Sequence, residues 1–138
     1  MDDNARRAAG MAARREVLGN AYVDAAIAKA GELSADFDDL ITRYAWGEIW
    51  TRPGLDRRTR RVLVLGTLVA LGRWKEFRFH ARAALTEGGF SIDDLNEIVL
   101  QQAIYCGVPA AHAAVEEIRG ALEELRTSAS PQAGSGTD

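Results

Sequence analysis

The sequence predicts an all-α protein, a single-domain helical bundle, on three observations. Apolar residues recur at helical spacing, and no stretch keeps the strict alternation of a half-buried strand. Helix starts (Ser, Asp, Pro) and stops (Gly) punctuate the chain at short intervals. With 47% hydrophobic and 27% charged residues, the composition is that of an ordinary globular domain. The 138 residues suit one domain, long enough to bury roughly 65–70% of the unfolded surface.

Six or seven helices with short links emerge from the pattern. The first, about 4–17, is rich in Ala and Arg. The second, about 20–29, ends before Gly31. A third opens with Ser34 as cap and Asp36 in its first turn. Phe37, Leu40, Ile41, Tyr44 and Ala45 then fall at helical spacing, and Arg52-Pro53-Gly54 stops it. Asp56 caps a fourth helix that is apolar nearly all round from Val62 to Leu71. Such a helix is central in its domain or covered by another subunit, and Gly72 ends it. A fifth spans about 73–87 and ends at Gly88-Gly89. A sixth opens on Ser91-Ile92-Asp93-Asp94, a capping box with Asp in place of Glu, and stops near Cys106-Gly107. Pro109 suits the first turn of a last helix to about 126. The domain thus covers 1–126. The remainder, 127–138, small, polar and Gly/Ser-rich, reads as a disordered tail.

Several classes of function are disfavoured. A net charge of −3 gives no basic footprint for nucleic acid. No apolar run approaches the ~18 residues that span a bilayer. The first residues, MDDNARRAAGMAARREV, lack the apolar core of a secretory signal, so the cytoplasm is the expected compartment. Cys106 is the only cysteine, which excludes an intramolecular disulfide and any CxxC motif.

Three groups could carry chemistry. Glu76 and His80 are four apart on the fifth helix, so both face one side. A carboxylate there can orient an imidazole for proton transfer, although a surface Glu–His pair has the same spacing. Arg52, Arg57, Arg58, Arg60 and Arg61 form a cluster, the last four in the first turns of the fourth helix, where cations oppose the macrodipole. They are suited to holding carboxylates or form a solvated face balanced by acids. Tyr44, Trp46 and Trp50 flank Glu48, and either wall a pocket for a flat ring or anchor a core. Cys106 reads as an inert small hydrophobe. His112 has no companions at metal-ligand spacing, so no metal site is expected.

The stretches REVLGNAYVDAA (15–26), FDDLITRYAWGEIWTRPGLDRRTRRVL (37–63), ALGRWKEFRFHARAAL (70–85) and AIYCGVPAAHAA (103–114) carry a resemblance over about residues 10–122. They resemble the carboxymuconolactone decarboxylase family, which shares the alkylhydroperoxidase-D-like fold. Within it the likeness is to the lactone decarboxylases rather than to the thiol enzymes, whose CxxC cysteines would stand where this chain has Arg73 and Glu76. The chain departs from the family in having His112 in VPAAH, where asparagine is usual, and Cys106 in YCG. Trp74, Lys75 and Phe77 are also unusual between Gly72 and His80.

The resemblance implies cofactor-independent decarboxylation of 4-carboxymuconolactone to the β-ketoadipate enol-lactone, a step in the protocatechuate branch of aromatic catabolism. It implies a homo-oligomer, trimer or hexamer, with a small carboxylated lactone as partner. His80 and Glu76 would be catalytic. Arg52, Arg57, Arg58, Arg73, Trp46, Glu48 and Trp50 would bind substrate. The alternatives are another lactone or ring substrate in biosynthesis, a thiol-type peroxidase helper, and a non-catalytic binding oligomer.

Overall fold

A computed structural model describes residues 2–129, and among these every regular element is helical. In order they are α1 (Asp3–Leu18), α2 (Asn20–Ile41), a π-helical segment (Thr42–Ile49), α3 (Arg57–Leu71), α4 (Trp74–Thr86), α5 (Ile92–Tyr105) and α6 (Val108–Ala129). The described residues group into two compact units, 2–61 with 86–88 and 62–85 with 89–129.

Most helix ends reflect local chemistry. Asp2 accepts the Ala5 amide at 2.7 Å and starts α1. Asp56 accepts the Thr59 amide, also at 2.7 Å, and starts α3. Ser91 and Asp94 form the reciprocal capping box of α5. Three expectations differ. Ser34 lies inside a helix and does not cap one. α2 departs from helical geometry only at Gly31, whose φ of 61° and ψ of −168° suit glycine alone. The helix resumes at once, and the Ser34 hydroxyl donates back to the Ala30 carbonyl and to Asp38. The stretch before Arg52 is π-helical, with the Trp50 amide reaching back five residues to the Ala45 carbonyl. Finally, α6 runs to Ala129, three residues beyond the boundary at 126. The rest of the expected tail lies outside the described residues.

In the first unit, α1 packs on the π-helical segment through glycine. A Cβ on Gly10 would collide with the Thr42 carbonyl, and one on Gly47 with the Arg6 carbonyl. Val17, Val23, Trp46 and Trp50 are buried there. Asp39 of α2 ties these elements together, accepting Arg7 from α1 at 2.6 Å and Arg43 from the π-helical segment at 2.8 Å. Both hydrogen bonds hold its carboxyl below the usual carboxylate range.

The second unit has one apolar core, in which Leu65 and Val69 of α3 meet Phe77, Ala81 and Ala84 of α4, Leu95 and Val99 of α5, and Ala111, Ala114 and Ile118 of α6. Arg78 and Arg82 of α4 reach Glu117 and Glu124 of α6 and fix the two helices side to side. Leu63 and Leu71 of the over-apolar α3 remain exposed.

Gly47→Ala is expected to destabilise the protein by at least about 1–3 kcal/mol, because backbone must shift to admit the methyl group. Gly54→Ala, where nothing lies within 4 Å, serves as the control. Urea denaturation of both variants checks the contrast.

Candidate active site

On α4 the buried stripe Phe77, Ala81, Ala84 faces the core of the second unit. Glu76 and His80 lie on the neighbouring stripe, both half-buried. The structure thus puts them on one face, as their spacing requires. The imidazole also lies against Phe79, ring centroids 4.7 Å apart and planes tilted by 30°. Arg73 is exposed, just ahead of α4, and its carbonyl accepts the Phe77 amide.

The other expected residues belong to the first unit. Trp46 and Trp50 stack on each other, centroids 5.1 Å apart at 23°, and both are buried. One face of each indole is therefore covered by the other. Glu48 lies 3.7 Å from Arg6 and 4.0 Å from Arg52. Arg57 pairs with Glu16 and donates to the Trp50 carbonyl. Arg58 is exposed. Arg60 Nη2 donates to the Arg52 carbonyl at 3.4 Å, while its Nε is buried without a hydrogen-bond partner.

Arg61 is different. It is only 5% exposed, and its Nη1 has no hydrogen-bond partner. Its Nη2 makes only a 3.5 Å contact with the Glu16 carbonyl. Burial pushes the guanidinium below the usual arginine range, with the charge of Glu87 opposing that shift and Arg57 adding to it. A buried N–H without a partner costs free energy, and a carboxylate ligand would supply the acceptor. Sequence reasoning singled out Arg57 and Arg58 within the 57–61 run. Helical phase was the available signal, since only the innermost position of that turn is enclosed.

Cys106 is half-buried and reduced, with the Gln102 amide 3.4 Å from its sulfur. His112 is exposed, 4.0 Å from Glu116. Among the described residues no group of three or more His, Cys, Asp or Glu side chains could hold a metal ion. No helix among them is long and apolar enough to cross a membrane.

Architecture and site together define an all-α helical-bundle protein with a half-buried histidine and a separate buried arginine. Residues 35–119 match the model of the carboxymuconolactone decarboxylase family. The chain is 38% identical over 125 residues to 4-carboxymuconolactone decarboxylase of Acinetobacter baylyi, covering 91% of this chain and 92% of that one. It is 40% identical over 101 residues to a nitrosuccinic acid decarboxylase of Metarhizium robertsii, covering 73% and 70%. A 48-residue sequence of 4-carboxymuconolactone decarboxylase from Pseudomonas putida matches in full at 44% identity, over 35% of this chain. The chain belongs to the carboxymuconolactone decarboxylase family. The family and both long matches point to one class of chemistry, decarboxylation.

If Arg61 serves a ligand rather than the fold, Arg61→Met leaves unfolding free energy equal to or above wild type, because an uncompensated buried charge is removed. A loss of more than about 1 kcal/mol on denaturation would mark the guanidinium as structural.

Proposed function

We propose that the protein is a cofactor-independent carboxy-lyase that decarboxylates 4-carboxymuconolactone to the β-ketoadipate enol-lactone, a step of aromatic catabolism. The observation that carries this reading is the 38% identity spread over 92% of the Acinetobacter decarboxylase. The chemistry of such a substrate fits the side chains available. Its ring carboxylate sits γ to the lactone carbonyl through a C=C bond. As CO2 leaves, the electron pair delocalises into that carbonyl as a dienolate, and protonation at the α-carbon gives the enol-lactone. The substrate is its own electron sink.

Three tasks remain for the protein. His80 delivers the proton, oriented by Glu76 on the same helical face. An arginine, Arg52 or one of the 57–61 run, is suited to hold the acetate-arm carboxylate; of that run Arg57 is engaged with Glu16, whereas Arg61 keeps Nη1 without a partner. Preorganised donors stabilise the developing oxyanion. A strong pairing to the departing carboxylate would stabilise the ground state and slow the reaction, so that group is best left against apolar walls.

A second reading rests on the Metarhizium relative. Nitrosuccinic acid is also a dicarboxylic acid, and its nitro group accepts the electron pair left by CO2. The same anchor and proton donor would serve it. We also propose that the chain works as a homo-oligomer, a trimer or hexamer, because Leu63, Leu71, Ile104, Tyr105 and Val108 stand exposed. A monomeric mass in light scattering would contradict this.

The test is steady-state decarboxylation of the lactone, with nitrosuccinate in parallel. His80→Ala should lower kcat about 100-fold or more. Arg61→Gln should raise KM more than it lowers kcat. Near wild-type turnover by His80→Ala removes the proton-donor role.

A further inference from the structure

The first unit also holds a cavity of about 280 Å³, bounded by Arg7, Met11 and Arg14 of α1, by Ala26, Ile27 and Ala30 before the break in α2, and by Ala35, Asp38 and Asp39 after it. The break at Gly31, itself part of the lining, separates the two walls contributed by α2. None of these residues has a part in the proposed decarboxylation.

The charges in this cavity are not equally matched. Asp39 is held by Arg7 and Arg43, and Asp38 accepts the Ser34 hydroxyl. Arg14 is only 8% exposed, and its Nε has no hydrogen-bond partner. No ion pair of Arg14 is found among the described residues. A buried guanidinium at the wall of a pocket attracts an anion, and carboxylates fit its fork. Of the rest of the lining, Met11, Ala26, Ile27, Ala30 and Ala35 offer apolar contact to the body of a ligand, and Thr42 adds a buried hydroxyl. The volume lies near the lower end of cavities that hold small organic molecules.

We propose that this cavity is a second binding site, for a compact apolar monocarboxylate of about the size of benzoate, with the carboxylate on Arg14 and the ring among the alanines. A dicarboxylate is disfavoured, because Asp38 and Asp39 would face its second charge. The site therefore selects against the dianionic substrates considered for catalysis and takes a different chemical class.

Isothermal titration of the full chain with benzoate, and with benzamide as the neutral isostere, tests this. Benzoate should bind, with benzamide weaker by about tenfold or more. Arg14→Met removes the guanidinium at similar volume, and Ala30→Leu fills the cavity without touching a charge. Each should weaken benzoate by about tenfold or more and leave lactone turnover unchanged. Equal affinity for benzamide overturns the proposal. So does benzoate binding that survives both substitutions, which would place the ligand elsewhere. Absence of benzoate binding, with a change of oligomeric mass in Arg14→Met, also overturns it, and would assign Arg14 to a carboxylate of another copy. Should Arg14→Met fail to fold, Ala30→Leu alone decides.

Discussion

The backbone contact between Gly10 and Gly47 is the constraint around which the first unit is built. Two glycines let α1 lie directly on the π-helical segment, closer than any side chain would allow. With α1 fixed there, Arg14 reaches a cavity and Glu16 meets the start of α3. Glu16 then engages Arg57 with its carboxylate and offers only its carbonyl to Arg61. The distribution of partners results from that placement: one arginine of the turn is neutralised and the next in phase is left with donors free. Charge left unmatched in an enclosed setting is where a ligand carboxylate gains most, because the interior strengthens the pairing that water would weaken.

The second unit supplies a different kind of order. Its core is apolar and continuous, and the Arg78–Glu117–Glu124–Arg82 network fixes α4 against α6. Arg78 lies over Gly120, where a Cβ would collide with its guanidinium. α4 is thus held along two sides, one by packing and one by charge. The stripe with Glu76 and His80 is a third side, neither in that core nor in that network. A histidine on a helix held this firmly has a fixed backbone position, as the proposed proton-donor role requires.

Features set by local chemistry were legible in the sequence. Asp56, Ser91 with Asp94, and Gly72 each act on backbone groups within a few residues, so spacing alone places them. The Gly31 break was legible for the same reason, but the conformation beyond it was not: Ser34 has the chemistry of a cap, yet the helix resumes directly after Gly31. The π-helical turn carries no local signal, and neither does the close approach of α1 to Gly47 within it. The shared face of Glu76 and His80 could be read from helical phase. Which arginine keeps its donors free could not, since Glu16 lies far from Arg57 in sequence and reaches it only through the fold. The indoles of Trp46 and Trp50 were legible as neighbours, but not as rings stacked on each other.

The central claim is that the protein itself protonates the α-carbon of the dienolate formed as CO2 leaves, with His80 as the donor. Turnover of the carboxylated lactone in D2O tests it most directly. The account predicts CO2 release with one deuterium at the α-carbon of the enol-lactone, delivered to a single face. Label spread over both faces would mean that solvent, not an enclosed donor, completes the reaction, and no release of CO2 would contradict the lyase assignment for this substrate.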